Sequence, residues 1–487
     1  MCKCSHHLMN EGMRHEEKVG EHLRFTPIQA YAADGEPTPT ARRRVTSRLQ
    51  SFLCFITLDM LRSIQECTIL HARETVAVNW FMGLPELMAF ISIIIWRGIT
   101  KVPSVHDCWS RDFGLPKIME IMCRNRFQDI MQHLRFDDKS TRSERVQTDR
   151  FAAISSLWGS FATNCISSYN PGRHITVDEQ LYPSKTRCTF LQYIASKPDK
   201  FGIKFWVACD LKSKYICNVF PYLGKDPSRP SGERLAENVV MKLMEPFLDK
   251  GRNVTTDNFF TSLHLAQRLR SRGTTILGTV NRVRRELPPS AREKDRDEFT
   301  TQVFSTPDAT LTVYAAKKKK TVYILSSMHG VVQTEEETIK RKPNTITQYN
   351  LTKCGVDVMD QMVREYTVRK GTRRWPVAVF YNMIDMAALN AHVLYQACTG
   401  EQERRLTFLG ELANELSKAH LAHKQEEKER LLREKASTPR PTTGKRVHCQ
   451  VKDWCQRNYA THPCEQCNKY TCGTCSKQMP WLCKHCG

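Results

Sequence analysis

Two aspartates in this chain close short apolar runs: Asp178 ends His-Ile-Thr-Val-Asp, and Asp257 ends Asn-Val-Thr-Thr-Asp. If the two runs are neighbouring strands, their carboxylates emerge side by side at one sheet edge. Hard divalent cations take oxygen ligands and bind through a few carboxylates together with substrate phosphates. Two such ions about 3.5–4 Å apart clamp the attacking and leaving oxygens of a phosphoryl transfer. Asp357 and Asp360, three residues apart in the helical run VDVMDQM, share one helix face and are placed to close such a site from above. Each aspartate also has a plainer reading, since acids at strand ends make turns or cap the next helix. Glu179 should face the other side of the sheet by alternation, and Asp210 ends a strand of its own, so the pattern alone does not choose among these acids.

A second set of candidate ligands lies in residues 449–487. Cys449, Cys455, Cys464, Cys467, Cys472, Cys475, Cys483 and Cys486 form four pairs, suiting two tetrahedral Zn²⁺ sites. Zinc would supply the folding energy of so small a module. His448, His462 and His485 are spare imidazoles, read as surface residues. Lys197, Lys200, Lys204, Arg373, Arg374 and Trp375 flank the acids in sequence. Their cations suit DNA phosphates, and the indole either stacks on an unpaired base or fills the core.

These residues sit in a chain of 487 residues with 40% apolar content, enough for two or more domains. Lys and Arg number 73 against 51 Asp and Glu, for a formal charge of +22 and a pI near 9.3. Released counterions make such a chain a partner for polyanions, without singling out DNA. No membrane is expected: the most apolar run, residues 86–96, is far shorter than the ~20 residues a bilayer span needs and reads as a buried helix. The N-terminus carries no apolar segment of the secretory kind, so the 20 cysteines are expected as thiols or metal ligands.

The elements that must position the acids follow from periodicity. Residues 1–44 are polar, end in a Pro-Thr run and Arg42, Arg43 and Arg44, and read as a flexible basic arm. Residues 45–172 show apolar spacing of three and four, a helical domain. From 173 to 281 the order is three strands, helix, strand, helix, strand, an α/β layer. Residues 282–343 carry three β-like runs among charged residues and read as a β-rich insertion. Residues 344–366 return to the core with the third acid, and 367–425 complete the helical part. A linker over 426–446 precedes the cysteine-rich module of 447–487.

The segments ITVDEQL, SKPDKFGIKFWVACD, PYLGK, NVTTDNFFTS, ILGTV, VYILSSM, QYNLTKCGVDVMDQM and RRWPVAVFYNMIDMAALNA resemble, in order and spacing, the core of the piggyBac transposase family. FITLDML, RNRFQDIMQHLRFDD and the cysteine module extend the likeness to nearly all the chain from about Phe52. The long acidic N-terminal region of many members is mostly missing. The resemblance implies an RNase H-like core with a β-rich insertion, a helical dimerisation and DNA-binding domain, and a C-terminal cross-brace zinc finger. It places three catalytic aspartates on Asp178, Asp257 and Asp357 and a fourth contributor on Asp360. It implies two Mg²⁺ (or Mn²⁺) ions in the active site, and a zinc finger whose Cys pairs interleave, first with third and second with fourth. The implied partners are double-stranded DNA, as transposon ends and a TTAA target, and a second copy of the chain, with action in the nucleus. The implied chemistry is a nick at the element end, a hairpin formed by the freed 3′-OH, and joining at TTAA. A domesticated, non-catalytic DNA-binding protein would keep the fold and lose a catalytic aspartate, and none is lost. A structural zinc protein of the ubiquitin-ligase kind would explain the cysteines but not the acids.

Overall fold

Helices fill the first third of the chain, as apolar spacing of three and four residues requires. After the short strands β1 (His15–Glu17) and β2 (Glu36–Pro37) come α1 (Pro39–Arg44), α2 (Arg48–Leu53), α3 (Leu58–Thr75), α4 (Leu84–Thr100), α5 (Pro116–Ile121), α6 (Arg124–His133), α7 (Arg142–Arg145) and α8 (Ser155–Ser168). The starts of the first three are written locally: the side chains of Thr38, Ser47 and Thr57 accept from backbone N–H groups of the first turn. Helix α4 carries the most apolar run and buries Phe90, Ile91, Ile93, Ile94 and Ile95. The computed structural model describes residues 15–17, 19–21, 25–195, 197–225, 229, 232–293, 295–437, 446–451, 455, 458–464, 466–477 and 482–483.

The flexible arm expected over residues 1–44 is corrected from residue 25 onward. Thr38 N–H donates to Ser168 O at 3.0 Å, Tyr31 N–H donates to Gly251 O at 2.9 Å, and Arg252 lies 4.1 Å from the centre of the Tyr31 ring. Backbone hydrogen bonds and the contacts of Arg252 with Tyr31 and Arg270 with Phe25 hold this segment, and composition does not display them.

The second third builds one sheet: β3 (Tyr169–Asn170) pairs only with β2, and then follow β4 (His174–Pro183), β5 (Leu191–Tyr193), β6 (Phe201–Asp210), β7 (Ile216–Pro221), α9 (Leu235–Met244), β8 (Asn253–Thr256), α10 (Leu263–Ser271) and β9 (Thr275–Thr279). Strands β10 (Thr301–Ser305), β11 (Thr310–Lys317) and β12 (Lys320–Ser326) come next. The sheet order is β1-β10-β11-β12-β9-β8-β4-β6-β5, with β7 also paired to β6. Strands β4, β8 and β9 run parallel, and β6 lies antiparallel to β4. The insertion is therefore continuous with this sheet: β12 pairs antiparallel with β9, Ile324 opposite Thr279. The exposed edge of β9 supplies unpaired backbone groups, and the β12 strand satisfies them.

Four helices close the chain's larger part: α11 (Asn344–Thr352), α12 (Gly355–Glu365), α13 (Trp375–Thr399) and α14 (Arg405–Ser437). Helix α13 is long and apolar enough to cross a membrane, but 94% of its apolar window is buried, so it serves as a core helix. The linker expected from residue 426 begins as helix, because Glu, Lys, Arg and Leu are strong helix formers and Arg430 pairs with Glu427 at i,i+3. The chain divides into two compact units, Met1–Leu421 and Ala422–Gly487. Within the second, three short hairpins pair β13 (Val447–His448) with β14 (Tyr459–Ala460), β15 (His462–Pro463) with β16 (Tyr470–Thr471), and β17 (Ser476–Lys477) with β18 (Leu482–Cys483). Its small core buries Val451 and Ala460 with Cys464, Cys472 and Cys475.

Candidate active site

Parallel pairing sets the first two acids side by side. Thr176 of β4 is in register with Thr255 of β8, so two residues further along each strand Asp178 stands beside Asp257. Neighbouring strands lie about 4.8 Å apart. Above them, Gly355 allows α12 to touch β4: a Cβ at that position would meet Thr176 Oγ1 at 2.3 Å. Thr176 Oγ1 also donates to Thr352 O at 2.9 Å, fixing the entry to α12 and with it Asp357 in the first helical turn. The phenol of Tyr349 is pushed up by burial and then further by the charges of Asp257, Asp178 and Asp357.

Asp360 lies one turn along α12. Its Oδ1 accepts from Gln180 Nε2 at 2.9 Å, and Arg364 Nε stands 3.0 Å from its Oδ2. Gln180 shares the strand face of Asp178, and its Oε1 accepts from Asn382 Nδ2 of α13 at 2.9 Å. A hydrogen-bonded line thus runs from the core helix to the acid. The sequence reading did not pick out Gln180 or Asn382; the two-residue step from Asp178 was the available signal for Gln180.

Burial dominates the electrostatics. Asp178 is pushed up to about 7, first by burial and then by the charges of Glu179 and Asp257. Burial raises Asp257 as well, against backbone hydrogen bonds from Phe259 and Phe260 that favour its charged form. Asp360 is raised by burial despite Arg364 and Gln180. Glu179 points to cations: Lys197 Nζ lies 3.9 Å and Lys204 Nζ 3.6 Å from its carboxylate, and Lys204 also sits 3.9 Å from the Trp206 ring centre. The charge of Lys197 opposes the upward shifts of Asp178 and Asp360. Lys200 is exposed. Asp210, which sequence pattern could not separate from the others, is a turn former: its carboxylate accepts from Gly172 N and Ser213 N, both at 2.8 Å.

Arg373, Arg374 and Trp375 divide. Arg373 is exposed, whereas Arg374 is drawn to the end of α6, where its guanidinium donates to Leu134 O at 2.8 Å and to Met131 O. Trp375 stacks on Phe151 at 5.4 Å and meets Phe190 edge-on at 5.1 Å, so its faces are occupied by the core rather than set aside for a base. Both nevertheless line a cavity of about 450 Å³ with Arg135, Arg142, Arg187 and Arg373. Arg135 is held down to about 10 by burial and by the like charges of Arg374 and Arg142.

In the second unit the Sγ atoms of Cys449, Cys455, Cys472 and Cys475 all lie within 4.8 Å of one another. This is the first pair with the third, a four-thiol soft-donor set of the number and kind that tetrahedral Zn²⁺ takes. Cys464 and Cys467 are described, but the side chain of Cys483 and all of Cys486 lie outside the described residues, as does His485. His448 stacks on Tyr459 at 4.2 Å. Among the described residues this is the one group of potential ligand atoms so tightly drawn; the aspartates stand further apart.

The buried amide line carries a stability prediction. Gln180→Leu should cost about 1–3 kcal/mol, because Asn382 and Asp360 each lose a buried partner. Thermal melts of the two proteins check it; equal stability would show that water replaces the amide.

A mixed sheet with helices on it carries Asp178 midway along β4 and Asp257 directly after β8, and residues 48–392 match the family model described as Transposase IS4, which makes the chain a member of the transposase class. The chain belongs to the piggyBac transposase family. It is 25% identical over 334 residues to PiggyBac transposable element-derived protein 3 of Homo sapiens, covering 64% of this chain and 55% of that protein. Over 349 residues it is 25% identical to PiggyBac transposable element-derived protein 2 of Homo sapiens, covering 66% and 57% respectively. The chain thus spans about half the length of the curated relatives it matches. A solved structure, the cryo-EM structure of a piggyBac transposase synaptic complex with hairpin DNA, superposes with a TM-score of 0.78 at 31% identity, over 93% of this chain and 100% of that one.

Proposed function

We propose that this chain is a piggyBac-type DNA transposase that moves DNA by metal-dependent cutting and rejoining. The observation that supports the reading is the register of β4 on β8, which puts Asp178 beside Asp257, with α12, whose first turn carries Asp357, packed against β4. The half-buried pair Asp178 and Asp257, with the exposed Asp357 on the helix packed against β4, fits divalent cations, since the donors are hard oxygens and like charges are costly together without a counter-charge. Asp178, Asp257 and Asp357 would hold two Mg²⁺ or Mn²⁺ ions, whose chemistry is to activate an attacking hydroxyl and to stabilise the leaving oxygen of a phosphodiester. Asp360 positions α12 through Gln180 and Arg364, and Lys197 stands ready for a phosphate at the rim. On this reading the sheet is an RNase H-like core. The strand is nicked at the element end, the freed 3′-OH attacks the opposite strand to close a hairpin, and joining occurs at TTAA. The partners are double-stranded DNA and a second copy of the chain, the site of action is the nucleus, and the cysteine module holds two zinc ions and grips terminal DNA.

The test is cleavage of a duplex that joins a matching element's terminal repeat to flanking TTAA, with and without Mg²⁺. Metal-dependent nicks at the element boundary, followed by a hairpin band on denaturing gels, are the expected result. Tight binding without any cut would instead make the chain a DNA-binding protein that has kept its acids and lost its chemistry.

A further inference from the structure

Lys204 reads in the sequence as a cation for a DNA phosphate, but its ammonium is turned onto protein groups. Its Nζ lies 3.6 Å from the Glu179 carboxylate, 3.9 Å from the Trp206 ring centre and 5.6 Å from that of Phe259. Cation–π attraction acts over such distances. Trp206 is anchored in β6, 1% exposed and in register with Glu179, the neighbour of Asp178. Phe259, in the loop between β8 and α10, lies nearly parallel to the indole, with ring centres 5.8 Å apart and planes at 12°. Phe260 meets both rings edge-on, at 5.5 Å and 5.0 Å.

This stack bears on the acid two residues before it. Phe259 N–H donates to Asp257 Oδ1 at 3.0 Å. The backbone of Asp257 is fixed separately, because its carbonyl accepts from Thr261 N at 3.1 Å and from Thr261 Oγ1 at 2.7 Å. The orientation of the carboxylate therefore depends on where the Phe259 amide points. Phe259 is 43% exposed, so burial alone does not hold it; the stack on Trp206 does. Groups that hydrogen-bond a metal-ligating side chain set its orientation, and losing one costs about 10–100-fold in metal affinity or activity.

We propose that Phe259, clamped on Trp206 with Lys204 against the pair, is the positioning residue that orients the Asp257 carboxylate for a divalent cation. The inference rests on the proposed function, because it takes Asp257 as a metal ligand. It also gives Lys204 a task opposite in sign to its charge. The charge of Lys204 is felt at Asp257 and Asp178, and a cation there repels Mg²⁺. By charge alone Lys204 weakens the site, whereas through the stack it strengthens it.

The test measures Mn²⁺ bound to the full-length protein by water-proton relaxation, without DNA, with Asp178→Asn as the blank for binding away from the acids. Phe259→Leu should weaken binding about tenfold or more, and Phe259→Tyr, which keeps the ring, should bind within about threefold of wild type. Lys204→Met should weaken it as well, where loss of a repelling charge alone would tighten it. A purely structural role would lower the melting temperature of Phe259→Leu and leave its Mn²⁺ affinity alone. Should Phe259→Leu fail to fold, the sign of the Lys204→Met effect decides. Wild-type affinity in Phe259→Leu, Phe259→Tyr as weak as Phe259→Leu, or unchanged or tighter binding in Lys204→Met overturns the clamp and leaves the transposase reading standing. Mn²⁺ held equally by wild type and Asp178→Asn overturns both.

Discussion

On the proposed function, Asp178→Asn should lower metal-dependent nicking by about three orders of magnitude or more, from losing several kcal/mol of transition-state stabilisation at about 1.36 kcal/mol per tenfold. Asp257→Asn and Asp357→Asn should match it, with folding and DNA binding intact, because an amide keeps the volume and surrenders the charge that holds the cation. Asp360→Asn should impair less, since that carboxylate already answers to Gln180 and Arg364. Stability separates a working acid from a structural one. In metal-free protein Asp178 is pushed up to about 7, whereas an unfolded aspartate titrates near ~3.9. Between those values the native state holds the extra proton, so Asp178 makes the fold less stable as pH rises from about 4 to about 7. Asp178→Asn should therefore melt higher than wild type at pH 8 without metal, and Mg²⁺ should raise the melting temperature of wild type alone. Unfolding of the variant would assign Asp178 a structural role instead.

Removal of zinc should unfold the second unit outright. Two ions per chain are expected by elemental analysis, four thiolates to each. Structural zinc contributes about 10–16 kcal/mol of apparent binding energy in small fingers, far more than the few buried side chains around Val451 and Ala460 can replace. Cys472→Ser, at a buried member of the four-sulfur cluster, should abolish amide protection across residues 446–477 while the first unit keeps its own melting transition. Zinc-free protein with the same protection pattern, or disulfides found by mass spectrometry, would sink this.

Local pattern carried much of this structure. Asn-Val-Thr-Thr is a strand with Asp257 directly after it, but the strand that begins at His174 runs on to Pro183, so Asp178 stands mid-strand and not at its end, because Gln180, Leu181 and Tyr182 continue the pairing with β6; the helices on either side of Asn253 lie where apolar spacing puts them. Pairing is another matter, because no period in a sequence says which strands become neighbours. Asp178 and Asp210 look alike as strand-terminal acids until β4 is seen beside β8 and Asp210 is seen holding a turn. The insertion was legible as three strands, yet its union with β9 is a long-range contact. Arg374 and Trp375 show the same limit: type and position suggested DNA, while the partners that occupy them come from α6, Phe151 and Phe190. Four cysteine pairs permit several groupings by spacing alone; the family resemblance implied first with third, and the clustering of Cys449, Cys455, Cys472 and Cys475 agrees with it.

The path of the chain through the acid cluster has a consequence for how the protein is made. Asp178 and Asp257 lie on adjacent strands, but Asp357 follows Asp257 by 100 residues and arrives on α12 only after the chain has left the central strands and returned. A ribosome would extrude most of the basic surface before the last acid emerges. Any product of a premature stop ahead of Gly355 would lack Asp357 and also the buried core helix α13, so it would be left with an incomplete acid cluster and an open core, and no shorter form of the chain could stand in for the whole.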